Sequence, residues 1–469
     1  SKKKSEGKNT PSKKTKKNKK KTSKKIESLS DLLKVSVNEQ YKFIITSKQK
    51  KIRDTIYGEL VKRSVNKDDP KYNEIHNLLD IIFIKFPDMN IYREDGSKLP
   101  KKVGSTRIIT KPSIRDPNFQ NKINRKKEFK LYTNPKPLEK VSSEYSGKSL
   151  SYILSREMEK QCGRFELTST QKFLKRFLNP RNPYHSVLLF HGTGVGKSCS
   201  AVSIAEGFIP ELKKVGKKVY ILSNPSIKES FRKNIFSKLT FNSDKSEEQC
   251  TRDTYFKNVK VDNKNRGKVL KSIDKQIRDN YKFMGYLQFA NMIEKETKRI
   301  SERSDLSDNE KNSRIDSKIK QFFSDNVIII DEVHNIKQDS SAREEKKITT
   351  TLERVIKTAE NLKLILLTAT PMFDIPEEII YILNLLLLNE GRGLLNESLF
   401  FKNNELQEDK VDLFRYKTQG LVSYVKGENP IFFPAKIYPQ NVIRENKMPK
   451  YLNKEDKREI NAPIEKLKL

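Results

Sequence analysis

One short run in this 469-residue chain constrains the fold more than any other. An apolar segment leads into a glycine-rich turn, a Lys-Ser pair and a segment of helical pattern at 199–208. Glycines let backbone N–H groups approach phosphate oxygens, and the N-terminus of the next helix adds the positive end of its dipole. The run therefore predicts a phosphate-binding loop, against the alternative of a chance glycine turn. It consists of His191, Gly192, Thr193, Gly194, Val195, Gly196, Lys197 and Ser198.

The residues after the glycines predict the ligand of this loop. Lys197 is expected to reach the β- and γ-phosphates, as a catalytic residue, and the Ser198 hydroxyl is expected to ligate Mg²⁺. The loop departs from its usual form at one residue, because His191 stands where Gly is common. The predicted cofactors are ATP and Mg²⁺.

A second run supplies two adjacent carboxylates. Residues 327–331 predict a buried strand, which ends in Asp331 and Glu332. The carboxyl ends of parallel strands meet at one edge of a sheet, so both side chains are expected beside the phosphate loop. Asp331 is predicted to hold Mg²⁺, and Glu332 to orient and deprotonate the attacking water. The alternative is that the acidic pair lies at a solvated strand edge and has no catalytic role.

The chain from about residue 151 has the pattern of an α/β fold. Apolar runs at 185–190, 218–223, 327–331 and 363–368 alternate with amphipathic segments. Near-continuous apolar strands are typical of a parallel sheet that is covered on both faces. We expect one domain over 151–439. The charged stretches at about 241–278 and 295–324 are interpreted as surface insertions.

The rest of the chain is predicted to be peripheral to that domain. Residues 1–27 form a Lys-rich tail, with 13 Lys and one Glu in the first 25 residues, and are expected to be disordered. Residues 28–150 form an N-terminal region with an amphipathic helix at 75–82 and an extended connector at 101–150. Residues 440–469 are interpreted as a linker.

Charge identifies the class of partner. The formal net charge is +36, which favours polyanions, with nucleic acid first and an anionic membrane surface second. No apolar stretch approaches the roughly 20 residues of a membrane span, so no segment is expected to cross a bilayer. Of the two candidates the expected partner is nucleic acid, and no membrane. Three scattered cysteines indicate a reducing, intracellular compartment without disulfides, and the four histidines show no metal-ligand spacing.

Several motifs resemble those of superfamily 2 helicases. Asp331-Glu332-Val333-His334 resembles their DEAD/DEAH signature, and residues 366–371 resemble the motif that couples nucleotide state to nucleic-acid binding. Residues 372–378 resemble Snf2-type DNA translocases. The resemblance implies a RecA-like P-loop NTPase domain. It also implies roles for further residues, in coupling (His334, Thr368, Ala369, Thr370), adenine recognition (Gln171) and nucleic-acid contact (Ser223, Asn224).

A narrower resemblance covers roughly residues 110–439. The chain is similar there to the nucleoside triphosphatase I and early transcription factor small-subunit helicases of large nucleocytoplasmic DNA viruses. This implies a DNA-dependent ATPase that works with the transcription machinery, located in virions and the cytoplasm of infected cells. Such motors close ATP between two RecA-like domains. No second one is recognised after residue 439, which predicts a fragment or a domain supplied by another chain.

Two alternatives to a motor on duplex DNA remain open. The acidic signature also serves RNA helicases, whereas the Snf2-like stretch favours duplex DNA. The second alternative is a non-catalytic, ATP-regulated clamp on nucleic acid within a transcription complex.

Overall fold

A computed structural model describes most of the central domain and parts of the N-terminal region. The described residues are 26, 28–35, 40, 43, 50–64, 66, 69–85, 111–133, 152, 166–225, 227–238, 249–252, 254–256, 264–336, 342–372 and 374–425. The predicted tail (1–27, except residue 26), most of the connector and the linker (440–469) lie outside this set. None of the described helices has the length and apolar character needed to span a bilayer.

The N-terminal region is helical where it is described. Ile75, Leu78, Leu79 and Ile82 are buried, as the amphipathic pattern predicted. The expectation of an extended connector at 101–150 was wrong for residues 119–133. Two short helices form there because Phe119, Ile123 and Phe129 find an apolar surface to bury against. The helices of this region are α1 (Leu29–Leu32), α2 (Lys50–Ser64), α3 (Tyr72–Lys85), α4 (Phe119–Arg125) and α5 (Lys127–Thr133).

The central domain alternates strands and helices, as expected for an α/β fold. In chain order its elements are α6 (Ser169–Phe177), β1 (Ser186–His191), α7 (Lys197–Glu206), α8 (Ile209–Lys214), β2 (Val219–Leu222), α9 (Lys228–Ile235), α10 (Arg266–Asn280), β3 (Tyr281–Met284), α11 (Tyr286–Ser301), α12 (Asp308–Phe323), β4 (Val327–Ile330), α13 (Arg343–Thr358), β5 (Lys363–Thr368), α14 (Ile379–Asn389), α15 (Glu397–Phe400), β6 (Phe401–Lys402), β7 (Glu405–Leu406), α16 (Val411–Thr418) and β8 (Val422–Val425).

Six of these strands form one parallel sheet with the order β3-β2-β4-β5-β1-β8. The neighbours β4, β5 and β1 place the chain segments that follow β4 and β1 at the same edge. This topology is that of a RecA-like domain, so the predicted fold class is confirmed. Strands β6 and β7 form a separate antiparallel pair.

The sheet buries both faces because successive side chains on a strand point in opposite directions. On one face Leu189, Ile329 and Leu367 pack against α7, α9 and α10. On the other face Leu188, Ile330 and Leu366 pack against helices α11 to α14. The N-terminal helices α1, α2 and α3 belong to this second core, so they pack onto the domain rather than forming a separate unit.

The two stretches interpreted as surface insertions contain core helices, which corrects that interpretation. Helix α10 buries Val269, Ile273 and Ile277, and α12 buries Ile315, Ile319 and Phe323. Their high charge suggested surface segments because only one face of each helix is apolar. The sheet also has two strands that the apolar runs did not predict, β3 and β8. Both lie at its edges and are short, with partly exposed residues.

Candidate active site

The glycine-rich turn follows β1 and ends where α7 begins. Gly194 and Gly196 have φ angles of +77° and +81°, a backbone region that only glycine adopts without strain. Gly196 caps α7, so the free N–H groups of that helix point into the turn. Thr193 is exposed, Lys197 and Ser198 are half-buried, and Val195 is buried in the wall below. The loop is thus built to accept an anion at the N-terminus of a ten-residue helix.

Gln171 supports this loop from the preceding helix. Its side-chain amide donates to the Gly196 carbonyl at 3.3 Å, and its Oε1 accepts from the Thr168 N–H at 2.9 Å. The Thr168 hydroxyl in turn accepts from the Gln171 N–H, which completes a capping box on α6. Gln171 is buried against the loop, and its role in adenine recognition stays a prediction.

The two predicted carboxylates lie at the end of β4, facing the phosphate loop. Glu332 Oε1 is 3.9 Å from Lys197 Nζ, so the residues from the two motifs come together. Asp331 is buried, and burial together with the charge of Glu332 raises the pKa of its carboxyl to about 6, while Lys197 opposes the rise. A carboxylate held this way gains from a nearby cation. The hydroxyl of Ser198 and the Asp331 carboxylate are hard oxygen donors of the kind that suits Mg²⁺.

Tyr286 fixes the backbone of these carboxylates, and sequence reasoning did not assign it a role. Its hydroxyl donates to the Asp331 carbonyl at 2.5 Å and lies 3.4 Å from the Glu332 carbonyl. Burial and the charge of Asp331 raise the pKa of the Tyr286 phenol well above its usual value, so it remains a donor. Glu332 itself has φ +47°, ψ +52°, an uncommon conformation for a non-glycine residue. The tyrosine therefore supports a strained turn at the centre of the site.

The proposed coupling residues are also brought together. His334 Nδ1 lies 2.8 Å from Thr368 Oγ1 and 3.3 Å from Glu332 Oε2. The Thr368 hydroxyl also accepts from the Thr370 N–H at 3.0 Å, while Ala369 lies between them on the segment that leaves β5. A continuous polar chain thus runs from Glu332 to Thr370.

His191, the residue that departs from the usual loop sequence, is buried and connects the loop to β8. Its Nε2 lies 3.0 Å from Ser423 Oγ, and the Gly192 N–H donates to the Val425 carbonyl at 3.1 Å. Burial and the charge of Lys197 lower the pKa of His191 to about 4, so the ring is neutral near pH 7.

The predicted nucleic-acid contacts follow β2. Asn224 is exposed, whereas Ser223 is buried and its N–H donates to the Met284 carbonyl at 3.0 Å. Of the two, only Asn224 is exposed, and a contact of either residue with nucleic acid stays a prediction. The geometry brings the phosphate-loop residues, the two carboxylates and the coupling residues into one site, and it leaves Ser223 and Asn224 at the neighbouring strand.

The expectation of no disulfide was wrong. Cys199, on the first turn of α7, and Cys250 form a disulfide, with Cα atoms 5.3 Å apart. The spacing of 51 residues hid this contact, because it arises only when residues 249–252 fold back onto α7. Cysteine usage therefore no longer supports an intracellular location.

Comparison with known protein families agrees with this geometry. Residues 162–373 match the family described as type III restriction enzyme, res subunit. A mimivirus (Acanthamoeba polyphaga mimivirus) protein with the provisional name ATP-dependent RNA helicase L377 is 28% identical over 348 residues, which are 70% of this chain and 28% of the relative. A helicase-named protein, 087L, of Invertebrate iridescent virus 3 is 29% identical over 283 residues, 59% of this chain and 24% of the relative.

A third relative is named for transcription. The early transcription factor large subunit homolog of African swine fever virus is 23% identical over 345 residues, 61% of this chain and 30% of the relative. The chain thus spans about a quarter to a third of the length of these three relatives. Together the family match and the viral relatives support a superfamily 2 helicase of large DNA viruses.

Proposed function

We propose that the chain is a superfamily 2 helicase-type motor that hydrolyses ATP to move on nucleic acid, because residues 162–373 match the restriction-enzyme res-subunit family and two viral relatives are named as helicases. The observation that carries the proposal is the approach of Glu332 to Lys197 across the phosphate loop. We assign the ATP-binding, first RecA-like helicase domain to residues 151–439.

Each site residue has a distinct task in this proposal. The N–H groups of residues 192–198 and Lys197 bind the triphosphate, while Ser198 and Asp331 hold Mg²⁺. A Mg²⁺ ion held by these two residues would offset the negative charge of the phosphates. Glu332 orients the attacking water and accepts its proton. His334 and Thr368 then couple a change in the contacts of Glu332 to the position of Thr370.

The substrate we propose is duplex DNA, in viral transcription. The Snf2-like stretch at 372–378 supports DNA, and the transcription-factor name of one relative supports the setting. This setting implies virions and the cytoplasm of infected cells. The mimivirus relative is named for RNA, which favours an RNA helicase as the second candidate. Phosphate release with duplex DNA, single-stranded DNA or duplex RNA distinguishes the two by which one stimulates turnover.

Two substitutions test the assigned chemistry. Lys197→Ala is expected to weaken ATP binding, because it removes a positive charge from the phosphates. Glu332→Gln is expected to keep binding within about threefold and to lower hydrolysis by about 10²-fold or more, since removing a general base costs on the order of 10²–10⁴ in rate. Nucleotide affinity and single-turnover hydrolysis are measured for both. Equal losses of affinity in the two variants would contradict the role of Glu332. Nucleic-acid binding that changes with ATP, in a wild-type chain without turnover, would favour the non-catalytic clamp.

A further inference from the structure

Helix α10 carries a row of cations on the face opposite its buried residues. The row, here called the basic ridge, consists of Lys264, just before the helix, and Lys268, Lys271, Lys275 and Arg278. All five are exposed. At about 100° per residue they fall within an arc of roughly 80°, whereas Val269, Ile273 and Ile277 lie on the opposite side. The helix therefore has one face in the core and, opposite it, an arc that holds five cations and no carboxylate, while exposed Asp279 lies about 20° beyond the end of that arc.

The ridge is not neutralised by the described part of the protein. None of its five cations forms an ion pair there, and its neighbour Asp274 is already bound by Arg232 at 3.3 Å and Lys238 at 3.1 Å. Asp279 is the one other carboxylate on α10. Like charges three or four residues apart on a helix destabilise it. An anionic partner would reverse this cost.

Helices on the other face of the sheet are different. Their cations are interspersed with acids, and several pair with them, as in Lys298 with Glu302 at 3.5 Å and Arg354 with Asp316 at 2.8 Å. A high overall net charge therefore does not by itself account for the ridge. Its single sign is a local property of α10.

The ridge begins near the edge of the sheet where nucleotide is proposed to bind. Helix α10 is followed directly by β3, so its C-terminal end lies where the parallel strands start. Its N-terminal end lies on the side where the parallel strands end, which is also the side of the phosphate loop and Asp331. The ridge thus starts on the side of the domain where the active site lies and runs along the flank of the domain.

We propose that the basic ridge is a second nucleic-acid contact surface, one that binds the phosphate backbone outside the helicase motifs. Ten residues separate Lys268 from Arg278, a rise of about 15 Å on a helix. Phosphates of one strand follow at about 3.4 Å along a duplex axis, so four cations match about four phosphates. The ridge has only Lys and Arg, and their contacts with phosphate oxygens fix the position of a duplex without carrying sequence information. The contact is therefore sequence-independent.

This inference rests on the proposed function, because it assumes that the chain acts on nucleic acid. Its consequence is specific. The ridge holds duplex that flanks the segment on which the motor acts, and it adds to affinity without touching the nucleotide.

The test replaces four ridge cations and compares them with four cations of the opposite face. The ridge variant is Lys268→Gln, Lys271→Gln, Lys275→Gln and Arg278→Gln. The control variant is Lys295→Gln, Lys298→Gln, Arg299→Gln and Arg314→Gln, all exposed on α11 and α12. Both lose the same charge. The Kd for a 30-base-pair duplex is measured between 50 and 200 mM salt for the full chain.

In the ridge variant the slope of log K against log salt is expected to be shallower, with a magnitude lower by about 2 to 4, since each phosphate contact contributes about 0.9. The control is expected to change it by less than 1. Equal slopes for the two variants overturn the proposal. So does a ridge variant that keeps the wild-type slope but no longer binds polyglutamate, since the surface would then serve an acidic protein.

The same proteins separate this proposal from the proposed function. Phosphate release at saturating duplex is expected to stay within about twofold of wild type in the ridge variant. If the wild-type chain shows no nucleic-acid stimulation at all, the proposed function fails. If stimulation is present and the two slopes agree, only the ridge fails.

Discussion

The hydroxyl of Tyr286 is the least expected contact of the site, and its contribution can be measured. Tyr286→Phe removes the donor to the Asp331 carbonyl and keeps the ring. A lost hydrogen bond costs on the order of 1–2 kcal/mol, which corresponds to about 5- to 30-fold in rate if it is expressed in the transition state. We expect kcat to fall by that factor while ATP affinity stays within about threefold, because the phosphate loop is unchanged.

Tyr281→Phe is the matched control for that variant. It loses a buried hydroxyl contact of 2.6 Å with Glu206. It is expected to lower stability without changing hydrolysis per folded molecule. Unchanged single-turnover hydrolysis in Tyr286→Phe would show that the tyrosine supports the fold alone.

The sequence could predict those site residues that act within one local run. Lys197, Asp331 and Glu332 follow strands that are mainly apolar and buried, and their order along the chain is enough to bring them to one edge. The supporting residues come from distant segments. Tyr286 is 45 residues from Asp331, and Ser423 is 232 residues from His191. No local pattern specifies such contacts, because they depend on which strands become neighbours in the sheet.

At the scale of the element, the loop between β1 and α7 requires Gly194 and Gly196 for different physical reasons. At both, an alanine would have to adopt positive φ, which costs on the order of 1–2 kcal/mol. At Gly194 a Cβ would meet open space, whereas at Gly196 it would lie 2.7 Å from Gln171 Nε2. Gly196→Ala is therefore expected to cost more than Gly194→Ala in unfolding free energy.

A double-mutant cycle isolates the contact with Gln171. Gln171→Ala in the Gly196→Ala background is expected to recover part of the loss, because it removes the atom that the new methyl group would meet. Urea unfolding of the four proteins gives the coupling energy. Strictly additive effects would mean that backbone conformation alone explains the glycine.

The strands that could be predicted are the inner strands of the sheet, which are buried on both faces. The strand predicted at 363–368 has the bounds of β5, and those of β1, β2 and β4 differ by one residue. Strands β3 and β8 were missed because an edge strand is exposed along one side and loses the continuous apolar pattern. The charged faces of α10 and α12 concealed their buried faces for the same reason.

At the scale of the whole molecule, the N-terminal helices are joined to the domain through a buried ionic cluster. Lys417 Nζ donates to Asp80 Oδ2 at 2.9 Å and to the Gly393 carbonyl at 2.7 Å. Arg392 Nη2 lies 3.7 Å from Asp80 Oδ1, and all three side chains are almost fully buried. Burial alone would raise the pKa of Asp80, but the charges of Lys417 and Arg392 lower it, so the carboxyl is ionised. One carboxylate from α3 thus balances two cations of the domain.

Removing that carboxylate is expected to destabilise the entire protein. Asp80→Asn keeps the shape of the side chain but leaves Lys417 and Arg392 as buried cations without a counter-charge. Breaking a buried pair in this way costs about 3–5 kcal/mol. Asp412→Asn is the control, because it removes the carboxylate of an exposed pair with Arg415, worth about 0–1 kcal/mol. Urea unfolding followed by circular dichroism gives both values. Since the helices share one core with the sheet, we expect a single transition that moves to lower urea in Asp80→Asn. A loss below about 1 kcal/mol, or early unfolding of the N-terminal helices with the domain unchanged, would mean that the cluster does not hold the two parts together.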